Sequence, residues 1–424
     1  MAPSVAEKVK VVVRVRPMTT KERQHGEEEL VRCVSDRSVQ ILEQQVGQGV
    51  RGSRAQTALA YQFERCFGQE TTQEELFEGC GVKEMLDHVL EGYSATVFAY
   101  GPTGSGKTFS VTGRPDSIVK NGSGDASDGV VIRSAESLFD KIREKSTDGM
   151  QFKVRASCVE IYNESIVDLV KSSRSARGVS VLPVKFDPSK GSFFVQDLSY
   201  CKCPSEVDLL RLYMKVLRNR SVAAHELNRD SSRSHALFTV YVDSMVKGPD
   251  GHIRTRHGKI TFVDLAGSER LKDTRSEGQT LRETGSINKS LFTLGKVISS
   301  LCDRKSTKAP YRDSKLTQLL MDSIGGTSLT MMLACISPSS GHIQESMRTL
   351  DYANRAKSVQ NKPVVLLDPG QTMLEELRKE IDILRAENRA LKEALQTSNP
   401  ELYASLDLTP RSLLRGEKEG GDRP

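Results

Sequence analysis

Hydrophobic positions fall along this chain in two alternating rhythms. Lys10–Val15 (KVVVRV), Ala95–Tyr100 (ATVFAY), Phe152–Tyr162 (FKVRASCVEIY), His235–Met245 (HALFTVYVDSM), Lys259–Leu265 (KITFVDL) and Leu329–Ser337 (LTMMLACIS) are compact apolar runs rich in β-branched residues and read as strands. Between them, Thr72–Leu90, Ser205–Arg220 and Leu281–Cys302 carry apolar residues three and four apart and read as amphipathic helices. From about Val9 to Val359 the alternation predicts an α/β domain, a central sheet covered by helices on both faces. Gln44–Gln56, Val119–Gly129 and Lys171–Gly178 read as exposed loops.

After Lys357 the rhythm changes. Ser358–Thr372 holds Pro363 and Pro369 and no helical period, so it reads as an extended connector. Leu374, Leu377, Ile381, Leu384, Asn388, Leu391 and Leu395 then recur at gaps of three and four, a heptad seam with Asn388 at an a position. Two outcomes stay open for it, a parallel homodimer or one amphipathic helix docked on the domain. The resulting plan is a globular domain over 1–357, a connector over 358–372, a short coiled-coil helix over 373–396 and a disordered tail over 397–424.

Charge sharpens this picture. The chain of 424 residues carries a net +6, but the part from Gln371 onward carries −2, leaving +8 on residues 1–370. A basic globular part suits an acidic partner. No apolar run approaches the roughly 20 residues of a membrane span, so membrane insertion is not expected. The start of the chain enters a strand with no cleavage signature. The eight cysteines are scattered, and Cys201 and Cys203 lack the two-residue gap of a zinc knuckle, which points to reduced thiols in the cytoplasm.

The chemistry begins at Ala99–Val111 (AYGPTGSGKTFSV). Gly101–Thr108 fits G-x-x-x-x-G-K-[ST] between a strand and a helix. Backbone N–H groups freed by glycine wrap phosphates, Lys107 neutralises β and γ oxygens, and Thr108 offers its hydroxyl to Mg²⁺. A triphosphate site of this kind needs a second metal contact and a sensor of the γ-phosphate. Asp264, at the end of an apolar strand, can hold Mg²⁺ through a water, and the Gly267 amide three residues on can face the γ-phosphate. Asn228–His235 (NRDSSRSH) is a second candidate sensor: Ser231 and Ser232 can reach the γ-phosphate and metal, and Arg233 seeks a carboxylate, with Glu269 the obvious partner. A GTPase would also need N-K-x-D, and neither Asn288-Lys289-Ser290-Leu291 nor Asn361-Lys362-Pro363-Val364 supplies the aspartate.

These blocks resemble the motor domain of the kinesin superfamily: FAYGPTGSGKT its P-loop, NRDSSRSH its switch I, DLAGSE its switch II. VRVRP, VEIYNESIVDL, ETGSINKSL and PYRDSKLTQLLMDSIGG match further blocks in the family's order. The resemblance implies a P-loop NTPase-like mixed central β-sheet flanked by helices, Mg²⁺-dependent ATP hydrolysis, and microtubules as partner rather than nucleic acid. It implies that Arg14 and Pro17 border the adenine with Phe109 stacking on it. Gly101, Pro102, Thr103, Gly104, Ser105, Gly106, Lys107, Thr108 and Asn228 would surround the nucleotide, and Ser232 would be the switch I metal ligand. Arg233 and Glu269 would close around the attacking water, and Asn288 would couple switch II to the following helix. Lys308, Arg312 and Lys315, with Arg304 and Lys305 in the same basic stretch and Lys272 and Arg275 past switch II, would face tubulin. The connector resembles a neck linker, with Leu366 where many plus-end motors carry an asparagine latch. The expected function is a plus-end-directed, microtubule-stimulated ATPase motor on the cytoskeleton. The alternative is a nucleotide-gated microtubule-binding ATPase without useful movement.

Overall fold

The structure is a computed structural model that describes residues 6–44, 56–114, 125–147, 149–171, 181–226, 231–247, 253–269, 279–303 and 308–405. It divides into two compact units between Leu366 and Leu367. Among the described residues, nine strands form the central sheet of the first unit: β1 (Lys10–Val15), β2 (Arg65–Phe67), β3 (Ser94–Tyr100), β4 (Gln151–Tyr162), β5 (Ser165–Asp168), β6 (Cys201–Lys202), β7 (His235–Lys247), β8 (Ile253–Asp264) and β9 (Ser328–Ile336). Their order is β6-β4-β7-β8-β3-β9-β1-β2, with β5 paired to β4. The run β8-β3-β9-β1-β2 is parallel, and β6, β4, β7, β8 and the β4–β5 hairpin are antiparallel, so the sheet is mixed as the resemblance implied.

Alternation along the central strands builds two cores. On β3, Ala95, Val97 and Ala99 face one core, and Phe98 and Tyr100 face the other. On β9, Met331, Leu333 and Cys335 face the first, and Met332, Ala334 and Ile336 the second. Both faces are buried, which is why these segments read as continuous apolar runs.

Among the described residues, the α-helices of this unit are α1 (Thr20–Gln24), α2 (Gln73–Gly79), α3 (Val82–Leu90), α4 (Lys107–Thr112), α5 (Val130–Thr147), α6 (Glu206–Glu226), α7 (Gln279–Cys302), α8 (Lys315–Leu319) and α9 (Ile343–Ala356). The first core is closed by α2, α3, α5 and α6, the second by α7, α8 and α9. The single helix expected over Thr72–Leu90 is two. Gly81, at φ +90°, takes a left-handed conformation between α2 and α3, which ends one helical register and starts another.

Two features escaped the sequence pattern. Val31–Ser35, Ser38–Gln44 and Gln56–Gln62 make a three-stranded antiparallel sheet, and Val184–Asp187 pairs with Ser192–Val195 in a hairpin. In the second unit one helix, α10, runs Pro369–Ser398 and another, α11, Pro400–Ser405. Helix therefore occupies residues 397–398 and 400–405, on either side of Asn399, where disorder was expected. Asp368 caps α10 by accepting from the Gly370 N–H at 3.0 Å, and Pro369 opens it, a start signal that outweighed the proline-based reading of a connector up to Thr372. No helix of the described residues is long and apolar enough to cross a membrane.

Candidate nucleotide site and its couplings

The glycine-rich loop leaves β3 at Gly101 and enters α4 at Lys107. Gly101 lies against β9 so closely that a Cβ there would sit 2.1 Å from the Cys335 carbonyl oxygen, a place only glycine fits. Gly106, at φ +95°, turns the chain into α4. Within the loop the Ser105 N–H donates to the Pro102 carbonyl at 3.2 Å. Lys107 is buried, and its Nζ donates to the carbonyls of Gly101 at 2.9 Å and Pro102 at 3.0 Å. Burial pushes its pKa down, opposed by the charges of Asp264 and Glu269.

Beside the loop, the Thr108 hydroxyl donates to Asp264 Oδ2 at 2.8 Å. The same oxygen accepts from Arg220 Nη1 at 2.9 Å, while Asp264 Oδ1 is buried with no hydrogen-bond partner. A hydroxyl and a carboxylate with one unsatisfied buried oxygen form a hard-donor set that fits Mg²⁺ held partly through water. Arg220 comes from α6 and also lies 3.7 Å from Glu160. Burial works against its charge, but Asp264 and Glu160 outweigh it and its pKa is raised.

On the base side, Arg14 is buried, and its guanidinium carbon lies 5.3 Å from the Phe109 ring centroid. Arg14 Nη1 donates to Gln73 Oε1 at 2.5 Å and Ser110 Oγ at 2.9 Å, and Gln73 Nε2 donates to the Phe109 carbonyl at 2.6 Å. Phe109 is 39% exposed, which leaves room for a base against its ring. Pro17 is exposed next to Arg16, whose Nε donates to the Gly104 carbonyl at 2.7 Å.

The two candidate sensors meet through their backbones. The Gly267 N–H donates to the Ser232 carbonyl at 2.9 Å, and the Ser268 N–H to the Gly101 carbonyl at 3.1 Å. This differs from the expectation of a Gly267 amide facing a phosphate. Arg233 and Glu269, expected to close together around the attacking water, are not paired in this structure. Glu269 instead takes the Thr103 N–H at 2.8 Å and the Thr103 hydroxyl at 2.6 Å, so both of its oxygens are engaged by the loop. A Cβ on Gly267 would lie 2.2 Å from Glu269 Oε2 and 2.3 Å from Thr103 Oγ1, which explains a glycine at the contact.

His235 opens β7 and is buried. Its Nδ1 accepts the Ala266 N–H at 3.0 Å, and its Nε2 lies 2.7 Å from Ser290 Oγ on α7. This pattern assigns the neutral tautomer with the proton on Nε2. Burial first, then the Arg220 charge, push its pKa down to about 3. One imidazole thus ties the strand after the first sensor to the second sensor and to the helix beyond, the coupling expected of Asn288. Asn228, Lys272, Arg275, Arg304 and Lys305 lie outside the described residues, as do the side chains of Ser231 and Asn288.

A family model described as the kinesin motor domain matches residues 14–359. The chain belongs to the kinesin motor family. It is similar to kinesin-like protein KIF27 of Mus musculus, 36% identical over 386 residues, which are 89% of this chain and 26% of that protein. The chain therefore spans about a quarter of the length of this curated relative. It is also similar to the solved structure of a fast kinesin, studied for its ATPase mechanism and interactions with microtubules, at 34% identity and TM-score 0.73. That match covers 85% of this chain and 94% of the solved one.

Two further surfaces of this kinesin motor domain bear on the expectations. In the basic stretch, Lys308 and Arg312 are exposed and Lys315 is half-buried. Glu164, in the two-residue β4–β5 turn where Asn163 and Glu164 have φ +50° and +57°, accepts from the Ser314 hydroxyl and the Lys315 N–H. It anchors the start of α8 and thereby aims this stretch. Within the first unit, residues 360–366 of the connector are extended. Gln360–Asn361 pairs with Glu7–Lys8, and the Asn361 amide is buried, donating to the carbonyls of Ser323 and Ser328 and accepting the Gly325 N–H. At the far end the Leu366 N–H donates to the Gly92 carbonyl at 3.0 Å, and its carbonyl accepts the His257 N–H at 2.8 Å. Leu366 lacks a polar latch side chain, yet its main chain is fastened on both sides.

Proposed function

We propose that this kinesin motor domain hydrolyses ATP with Mg²⁺ and converts turnover into movement along microtubules. The observation that carries this reading is convergence on one seat: Lys107 and Thr108 of the loop, Asp264, and two sensor segments bonded to one another. Thr108, Asp264 and Ser232 would hold Mg²⁺, which when bound neutralises charge on the phosphate oxygens. Catalysis then rests on positioning and charge, with Arg233 and Glu269 closing the site around water once Glu269 leaves Thr103. Arg312, Lys308 and Lys315 would contact the acidic tubulin surface. Movement is towards the plus end, because the connector follows the motor as in the family's plus-end members.

On α10, Leu377, Ile381, Leu384 and Leu391 are exposed at heptad spacing, an apolar stripe that a second copy would cover, with Asn388 fixing the register. The non-motile alternative draws on Leu366, which lacks the latch amide. The two main-chain bonds at that residue favour the motor.

The deciding measurement is ATP turnover with and without microtubules at low and raised salt, followed by microtubule gliding on the immobilised protein. Strong stimulation with steady gliding supports the motor. Stimulation with ATP-sensitive tethering and no gliding selects the alternative. Arg233→Ala or Glu269→Ala should abolish stimulation, and unchanged stimulated turnover would refute the closing step.

A further inference from the structure

We propose that Glu22 is a positioning residue for nucleotide binding, holding Arg16 so that its guanidinium pins the phosphate loop from outside. The inference rests on the nucleotide-site reading above but concerns residues which that reading does not use. Arg16 follows β1, its N–H bonded to the Ile336 carbonyl at 3.1 Å. Its three guanidinium nitrogens are all engaged. Nε donates to Gly104 at 2.7 Å, Nη1 to Glu22 Oε2 at 2.8 Å, and Nη2 to Glu22 Oε1 at 2.5 Å. The pair is bidentate, the strongest arrangement open to an arginine and a carboxylate, and it fixes the plane of the fork.

Glu22 is more than a helix cap. It stands at N3 of α1, and its Oε2 accepts the Thr19 N–H at 2.7 Å and hydroxyl at 2.9 Å, completing a capping box. A capping glutamate needs no burial, yet Glu22 is only 5% exposed, and Ser337 at the end of β9 also approaches its Oε1. The bond to Arg16 holds its pKa down to about 2, so the pair stays ionised throughout the neutral range.

The consequence for the loop follows from peptide geometry. In a trans peptide the carbonyl and the next N–H point in opposite directions. The Gly104 carbonyl is tied to Arg16, and the Ser105 N–H on its other side is tied to the Pro102 carbonyl. With both ends held, this peptide cannot flip, although glycine at φ +76° would otherwise leave it free. The turn also fixes the Pro102 carbonyl, one of the two that hold Lys107. A loop ordered beforehand loses less entropy when a nucleotide arrives. The effect belongs to binding rather than to the chemical step.

The test uses the whole chain and a fluorescent ADP analogue, without microtubules, followed by ATP kinetics. Glu22→Gln should speed release of the analogue by roughly three- to tenfold, the loss expected for one ordinary hydrogen bond's worth of positioning. KM for ATP should rise by a similar factor with kcat within about twofold. Arg16→Lys keeps the charge but cannot supply the fork, so it should match Glu22→Gln. The double variant should be no worse than the worse single, because the two act as a unit. Thr19→Ala, which removes the cap hydroxyl and leaves the ion pair, should melt earlier but release nucleotide at the parent rate. If Glu22→Gln fails to fold, Arg16→Lys decides alone. Parent-like release in these variants, or an equal effect in Thr19→Ala, overturns the proposal while the functional reading stands. A parent protein that bound no adenine nucleotide would overturn both.

Discussion

The main-chain fastening of Leu366 is open to direct test. Leu366→Pro removes the N–H that donates to Gly92 and leaves the rest of the connector unchanged in sequence. One backbone hydrogen bond contributes about 0.5–1.5 kcal/mol net, and an acceptor left without its donor adds a cost of similar size. A loss of about 2 kcal/mol is expected, roughly a thirtyfold shift towards the released connector. Leu366→Met keeps the N–H and nearly the same volume and should cost well under about 1.5 kcal/mol. Hydrogen exchange by mass spectrometry over residues 358–367 reads the fastening directly, and gliding velocity reads its consequence. Leu366→Pro should expose the Val364 and Val365 amides first, with Lys362, bonded to Gly326, better protected, and should slow gliding severalfold. If Leu366→Pro exchanges and glides like Leu366→Met, the main-chain latch is refuted.

Other expectations follow from buried charge. Arg220→Ala leaves Asp264 and Glu160 unpaired in the interior and should lower stability by about 3–5 kcal/mol in urea unfolding, with a larger effect than any surface arginine. His235 has a folded pKa near 3, below its unfolded value, so the unfolded chain binds the extra proton between roughly pH 6.5 and 3. Stability is complete above that window and falls as pH drops through it, by about 1.4 kcal/mol per unit from this group. His235→Gln should flatten the stability profile between pH 6.5 and 5 by about 2 kcal/mol, as measured by urea midpoints; an unchanged slope would refute the neutral assignment. Arg312→Ala and Lys315→Ala should raise the microtubule concentration for half-maximal ATPase several-fold at low salt, with the gap closing as ionic strength rises.

What was legible in the sequence was local. The phosphate loop lies within eight consecutive residues, and β3 and β9 announce themselves because both faces are buried. The groups that steady the site come from afar. Arg220 sits on α6 in line with Leu209, Leu212, Tyr213 and Val216, all buried, and a cation on that stripe was the available signal for an internal charge partner. Gln73, Arg16 and Glu22 gave no such signal, since each reads as an ordinary polar residue at a helix or strand end. Their roles depend on pairings such as Gln73–Arg14, 59 positions apart, which no local pattern encodes. The Arg233–Glu269 pair expected from sequence is not formed in this structure, where Thr103 holds the glutamate with two bonds.

Strand β3 starts one residue after Tyr93, which bridges to Val365 of the connector, and stops where Gly101 opens the loop. Seven residues of extended backbone span about 23 Å. Parallel neighbours grip both edges, so this rod neither stretches nor shortens. Its two ends therefore keep a constant separation, and news of an occupied seat can reach the far end only by tilt or twist of the whole sheet, or by a detour through the helices.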